Sequence, residues 1–467
     1  MNDPTKTSPH NVSVVILAAG QGKRMHSSLP KVLHPIAGKP MLAHVILAAR
    51  KIQPQKICIV HGHGGDLVRA KIADAEIVWV KQEPQLGTGH AVLQALPKLE
   101  DRGITLVLYG DVPLIRPETL QALCNAAATG KLAWLTMTVT NPQGLGRIIR
   151  DDDGNVRGIV EDKDATNVEK SINEINTGFL ACPTELLARW LPALTNNNAQ
   201  QEYYLPDILT MAVKEGVGVE TFSPSSETEI TGINSKDQLA ALERTYQQEF
   251  AARLMKDGVS LADPARIDVR GELVCGDGTA NDVSIDVNCI FEGRVTLAAK
   301  VSIGANCILR NCTIGEGTEI LPFSIIDDAI IGANAKIGPY ARIRPGTTLA
   351  DEVHIGNFVE VKASEIGRAS KANHLSYIGD TTVGKSVNIG AGTITCNYDG
   401  ANKHRTVIQD NVHIGSDVQL IAPILIGEGA DIGAGTTVWK DVPPGGLTLN
   451  EKTQVRKSEW KRPIKKS

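Results

Sequence analysis

Residues Ile331–Val361 read IGANAKIGPYARIRPGTTLADEVHIGNFVEV. Aliphatic residues return at Ile331, Ile337, Ile343, Leu349, Ile355 and Val361, every sixth position. That period fits neither a helix nor an ordinary strand. Six residues can make one short strand and one turn, and three such units close a triangular coil of about 18 residues. The aliphatic side chain then points inward and stacks on its copy in the next coil. The beat also runs from Ile267 through Leu273, Thr279, Ile285, Phe291, Leu297, Ile303 and Leu309, then slips before the quoted stretch. It resumes at Ile408, Ile414, Leu420, Ile426, Ile432 and Val438. Three in-phase runs are not chance enrichment, and they predict a parallel β-helix over 259–450.

Polar residues interrupt this lattice. Arg342, Arg344, Lys362, His374, Tyr377 and Asn388 lie within it, and the stretch TITCNYDGANKHR, Thr393–Arg405, breaks the beat with a polar loop. Arg344 and Lys362 are one coil apart, so they can stack and point at one phosphate, and with His374 and Asn388 they are expected to build one corner. A purely structural post has no use for such groups.

The first half has another rhythm. VSVVILAAG, KICIVHG, AEIVWV and ITLVLYGD read as buried strands, and MLAHVILAARKI as a helix between the first two. Continuous apolar strands spaced by helices predict a parallel α/β sheet over 12–235, with ligands at the carboxyl ends of the strands. KDQLAALERTYQQEFAARLMKDG predicts a helical connector over 236–258, stopped at Gly258. Residues 1–11 read as a flexible N-terminus and 451–467 as a basic tail.

LAAGQGKRM, Leu17–Met25, follows the first strand. It is neither a dinucleotide fingerprint nor a P-loop. Gly20 and Gly22 allow the backbone to approach phosphates, and Lys23, Arg24 and Lys31 add positive charge. Asp111 closes the strand ending in YGD, where a carboxylate can hold Mg²⁺ on phosphates.

Composition is that of an ordinary globular chain, 42% hydrophobic and 21% charged over 467 residues, and a net charge of -4 gives no argument for nucleic acid. No apolar run reaches the length of a membrane span, and the first residues do not read as a secretory signal. The eight cysteines make no CxxC and complete no zinc pattern, although Cys307 and Cys312 lie close together; reduced thiols in a cytoplasmic protein are expected. His61 and His63 read as a strand-end turn.

Together LAAGQGKRM, LPK, QLGTGHA, YGD, GLGRIIR, GIVEDKDA, NTGF and GINS resemble, in order, the sugar-nucleotide pyrophosphorylases. Over nearly the whole chain the sequence is similar to the bacterial bifunctional N-acetylglucosamine-1-phosphate uridylyltransferase and glucosamine-1-phosphate acetyltransferase family. The resemblance implies a Rossmann-like nucleotidyltransferase domain followed by a left-handed β-helix, usually trimeric, with UTP and acetyl-CoA as co-substrates and a cell-envelope sugar nucleotide as product. It implies that Leu17, Ala18, Ala19 and Gly20 line the nucleotide, with Arg24 and Lys31 on its phosphates. Gln82, Gly87 and Thr88 would read the uracil. Tyr109 and Gly110 belong to the nucleotide and sugar site, and Gly146, Glu161, Asn176 and Asn234 would hold the N-acetyl sugar and ribose. Asp111 and Asn234 would ligate Mg²⁺.

In the second half the resemblance assigns Arg344, Lys362, Tyr377 and Asn388 to glucosamine-1-phosphate and His374 to the general base. Ala391, Asn397, Tyr398, Ser416 and Ala434 would line acetyl-CoA between neighbouring subunits. The family's coenzyme-phosphate arginine falls at Glu451 here, and the adjacent Lys452 is the replacement expected. Lys403 is expected at a phosphate, and Cys396 is read as a passive thiol. Two other readings stay open from the sequence: a single-function nucleotidyltransferase on an oligomerising β-helix, and a binding scaffold with a decayed nucleotide site.

Overall fold

The computed structural model describes residues 11–20, 22–276 and 282–463. Gln21 of the glycine-rich turn, Thr279 of the beat, most of the predicted N-terminus and the last four residues lie outside the described residues, as does the side chain of Lys23. The chain forms two compact units, Met1–Tyr246 and Gln247–Ser467.

The first unit is built on a mixed sheet. Val12–Ala18 sits centrally, parallel to Lys56–His61 on one side and to Ile104–Tyr109 on the other, with Ile77–Lys81 beyond the former. All seven residues of Val12–Ala18 are buried, which is why it reads as a continuous apolar run. The expected parallel α/β core is present, and antiparallel pairing joins it where Glu174–Pro183 and the hairpin before it enter the sheet. Glu174–Pro183 runs antiparallel between Ile104–Tyr109 and Leu132–Thr138. It enters after the hairpin Arg147–Arg150/Val156–Val160, so the chain returns from the opposite direction. A register shift at Asn176–Leu180 contains Gly178 at φ +83°, and re-aims the strand there. Helix Lys236–Lys256 contains the boundary between the units.

The second unit is a parallel β-helix. One sheet stacks strands such as His354–Asn357, Lys371–His374 and Asn388–Ile389. The other two faces interleave in a 17-stranded sheet. The beat residues fill its interior: Ile337, Ile343, Ile355, Val361 and Ile414 have no exposed surface. Where the beat slips, the coil has shortened. Ile290 pairs with Ile308, eighteen residues on, but Ile308 pairs with Ile325, seventeen on. The lost residue comes from one corner, where Asn311, Asp328, Ala363 and Asp380 adopt left-handed backbone. Ile314, Ile320, Ile326 and Ile366 therefore continue the core off the six-residue phase.

A second corner carries Phe323, Tyr340, Phe358 and Leu375, all at positive φ. Bulky side chains resist that conformation. Coil-to-coil bonds hold them, such as Tyr340 N–H to Pro322 O at 3.1 Å and Leu375 N–H to Asn357 O at 3.1 Å. The rings stack outside, with centroids 4.9 Å apart for Phe323–Tyr340 and 5.3 Å for Tyr340–Phe358. All four side chains are exposed, Leu375 at 63%.

Candidate active sites

In the first unit the carboxyl ends of Val12–Ala18 and Ile104–Tyr109 open onto a cleft of about 610 Å³. It brings together Leu17, Ala18, Ala19, Gly20, Lys31, Gln82, Gly87, Thr88, Tyr109 and Asp111 from the expected set, with Gln85 and Glu202 as linings the sequence reading missed. Gly87 sets the geometry of one wall. Its φ is +106°, and a Cβ there would lie 2.7 Å from Tyr203 O. Its carbonyl accepts from Gln82 Nε2 at 2.9 Å, and Thr88 Oγ1 accepts from Leu205 N–H at 3.1 Å. Thr88 then starts helix Thr88–Ala95 facing the cleft.

The Lys31 ammonium forms an ion pair with Asp111 and donates to Asn234 Oδ1 at 2.7 Å. The stem of Lys31 passes over Gly22, where a Cβ would meet Lys31 Cβ at 2.7 Å. Asn234, distant in sequence, is thereby brought to the cleft. Two hard oxygens converge on one cationic centre, a donor set that suits Mg²⁺ completing its shell with phosphates and water. No group of three or more acidic, His or Cys side chains suited to a metal occurs among the described residues.

Gly146, Glu161 and Asn176 form a neighbouring group. A Cβ on Gly146 would sit 3.0 Å from Glu161 Oε1. Asn176 Oδ1 accepts from Trp134 Nε1 and from Gly178 N–H, each at 2.8 Å, which fixes the amide. Burial raises the Glu161 carboxyl, with an Asn176 hydrogen bond opposing it. Burial also raises the Tyr109 phenol, with the Glu161 and Asp111 carboxylates adding to the effect, so Tyr109 links this group to the cleft. Arg24 stands exposed in the turn Lys23–Met25, and Gly110 follows Tyr109 with its N–H on Leu17 O.

In the β-helix, Ile343 pairs with Val361, which stacks Arg344 and Lys362 on successive coils as their spacing predicts. Arg344 donates to Glu360 at 2.6 Å. The neighbouring Lys403 ammonium pulls the Lys362 amine below the ordinary lysine range; Arg344 adds to this and Asp380 opposes it. Such crowded cations are relieved by an anion.

The interrupting loop explains Lys403. Tyr377 pairs with Ile394, seventeen residues on, whereas Thr381 pairs with Thr406, twenty-five on, so the loop adds eight residues to one coil. Asp399 folds it, accepting from Ala401 N–H at 2.8 Å, Asn402 N–H at 2.7 Å and His404 Nε2 at 2.7 Å. Buried Asn397 donates to Asp380 and lies 3.5 Å from Tyr377 Oη. Tyr398 is exposed and bridges Lys403.

His374, Ala391, Ser416 and Ala434 occupy one column. Each precedes a left-handed corner residue: Leu375, Gly392, Asp417 and Gly435. Lys452 donates to Gly435 O, which brings it to this column beside Ala434. One expectation is corrected. Arg344, Lys362, His374 and Asn388 do not share a corner. His374 and Asn388 belong to strands of one sheet, whereas Arg344, Lys362 and Tyr377 belong to the next face. Lys362 and His374 are twelve residues apart, two thirds of a coil, so the chain turns away from one face before it reaches the other.

Family models match at residues 14–153 (MobA-like NTP transferase domain), 278–371 (GMPPB C-terminal domain) and 405–438 (bacterial transferase hexapeptide, six repeats). Curated relatives match end to end. The bifunctional protein GlmU of Azoarcus sp. (strain BH72) is 59% identical, covering 97% of this chain and 100% of that one. Those of Burkholderia multivorans and Cupriavidus pinatubonensis are 60% and 56% identical, covering 97% and 98% of this chain and 100% of each. A solved UDP-glucose pyrophosphorylase complexed with UDP-glucose aligns over 51% of this chain and 98% of its own at 16% identity, with a TM-score of 0.43. With a nucleotidyltransferase unit, a left-handed hexapeptide β-helix and end-to-end identity well above half, the chain belongs to the family of bifunctional GlmU proteins, enzymes of uridylyl and acetyl transfer.

Proposed function

We propose that the two sites perform successive steps of UDP-N-acetylglucosamine synthesis through the residues named above. The observation that carries this is the pairing, in one chain, of a phosphate-cradling cleft closed by Lys31, Asp111 and Asn234 with a cation cluster at Arg344, Lys362 and Lys403.

In the β-helix, the cation cluster holds the phosphate of glucosamine-1-phosphate, with Tyr377 on the same face. His374 takes a proton from the sugar amine as its nitrogen attacks the thioester carbon of acetyl-CoA. The C–N bond forms, the C–S bond breaks, and the coenzyme leaves as its thiol with a proton from the medium. No acyl-enzyme is needed, and Cys396, raised by partial burial, is unsuited to be one.

In the cleft, a phosphate oxygen of N-acetylglucosamine-1-phosphate attacks the α-phosphorus of UTP in line and pyrophosphate leaves. The nucleophile is already an anion, so the protein must position two anions rather than supply a base. Asp111 and Asn234 would hold Mg²⁺, which would supply charge neutralisation on the phosphates. Lys31 and Arg24 bind phosphate, Gln82, Gly87 and Thr88 the base, and Gly146, Glu161 and Asn176 the acetamido sugar.

The acetyl-transfer site is completed between copies in a homotrimer. On one chain the cation cluster and His374 occupy different faces. The ladder Phe323, Tyr340, Phe358 and Leu375 leaves an apolar stripe exposed at the corner next to His374, and a second copy would bury it. Among the described residues no helix is long and apolar enough to cross a membrane, and a cytoplasmic location suits soluble substrates of this kind.

The test is to measure the two reactions separately in the parent and in His374→Ala. Acetyl transfer should fall by about 100-fold or more while uridylyl transfer is kept. Equal acetyl transfer in both proteins, or none in either, would refute the second site.

A further inference from the structure

We infer that Asn357 orients His374 and selects which ring nitrogen serves as the base, an inference that rests on the reading of His374 as that base. Asn357 Oδ1 lies 2.9 Å from His374 Nδ1. An amide oxygen only accepts, so Nδ1 carries the hydrogen and the lone pair is left on Nε2. The contact is not a chance meeting of two mobile side chains. Asn357 and His374 are register partners on adjacent coils, and Leu375 N–H bonds Asn357 O at 3.1 Å. The backbone ladder therefore sets their separation.

The column containing His374 supports the assignment. Read from coil to coil it holds Pro322, Pro339, Asn357, His374, Ala391, Ser416 and Ala434, each before a left-handed corner residue. Every position from His374 onward has a role in acetyl transfer in the reading above. Asn357 is the remaining polar member, and it adjoins the base directly. The prolines beneath it offer no side-chain donor or acceptor, so Asn357 closes the polar end of the column.

An amide also suits the local charge. The ionisable groups on the strands paired around His374 are His354 and Lys371, with Lys336 one coil further. A carboxylate at 357 would hold the imidazolium and oppose proton release near neutrality. A neutral acceptor fixes the ring without that effect.

The experiment compares acetyl-transfer kinetics against pH in the full chain for the parent, Asn357→Ala and Asn357→Asp, with His374→Ala as reference. For Asn357→Ala, kcat should fall about tenfold with KM for the amino sugar changed less than about threefold. For Asn357→Asp, the acidic limb of kcat/KM should move up by about one pH unit while activity on the alkaline plateau is retained within a few-fold. A misfolded variant cannot move that limb. If the limb stays in place in Asn357→Asp, or Asn357→Ala turns over like the parent, the inference is wrong. If His374→Ala itself keeps acetyl transfer, the base was misassigned and the inference falls with it.

Discussion

Lys31 is ion-paired with Asp111 while donating to Asn234 at 2.7 Å, so one ammonium occupies the point on which both expected metal ligands converge. In the function proposed above, lysine, carboxylate and amide would share that point with Mg²⁺ and the phosphates. Lys31→Met should lower uridylyl transfer by about 100-fold or more and leave acetyl transfer unchanged. Separate assays of the two reactions check this, and a parallel loss of both would mean that the substitution acts on folding.

Gly87 is required by backbone geometry rather than by chemistry. At φ +106°, with Tyr203 O 2.7 Å and Glu202 Cβ 2.9 Å from any added Cβ, Gly87→Ala should destabilise the first unit by about 2 kcal/mol. Denaturant unfolding followed by Trp134 and Trp190 fluorescence measures it, and a change near zero would show that the turn relaxes.

Lys403 depresses Lys362 by proximity, so Lys403→Ala should raise the Lys362 amine toward the ordinary lysine range. The same change should raise KM for glucosamine-1-phosphate about tenfold, since one charge-assisted contact is lost. Carbon-labelled lysine NMR follows the first effect and steady-state kinetics the second. An unchanged KM would separate the cluster from phosphate binding.

The division of the acetyl-transfer residues between two faces predicts complementation. Lys362→Ala and His374→Ala should each be nearly inert alone. Co-expressed in equal amounts, they should recover about one quarter of parental acetyl transfer if each site draws its cation cluster and its base from different copies. No recovery would place the whole site within one chain.

Asp399 is held well below the usual carboxylate range by the Asn402 and Ala401 N–H groups and by His404. Its folded pKa lies under its unfolded one, so its support of the loop is complete above the unfolded value near about 4. That support is lost only as pH falls through the lower folded value. The Ala401 and Asn402 amide resonances should hold steady from neutral pH to about 4 and move below it. A transition centred near about 4 or above would show that these bonds do not persist in solution.

Much of this was legible in the sequence because it rests on periodicity and local chemistry. The six-residue beat placed Ile331 through Val361 in the interior, and the buried run Val12–Ala18 marked the central strand. The glycine-rich turn and the YGD ending marked the cleft, since these residues lie at strand ends where topology puts ligands. Asn234 and Glu161 entered only through family resemblance, because nothing in their own neighbourhoods says that the chain returns to the cleft. Gln85 and Glu202 were missed for the same reason. Asn357 gave no signal of its own, since its role depends on what the next coil sets beside it.

The sequence by itself therefore determined the two architectures, the order of the units and the types of chemical group available. These follow from the spacing of side chains along the chain. The tertiary structure decided which groups meet. It turned Glu174–Pro183 antiparallel, because a hairpin reversed the approach of the chain. It shortened some coils by one residue at a left-handed corner, and so set His374 against Asn357. It also folded the eight extra residues about Asp399 and carried Lys403 back to Lys362. Coil-to-coil hydrogen bonding fixes register across strands, and register can be read only once the length of every turn is known.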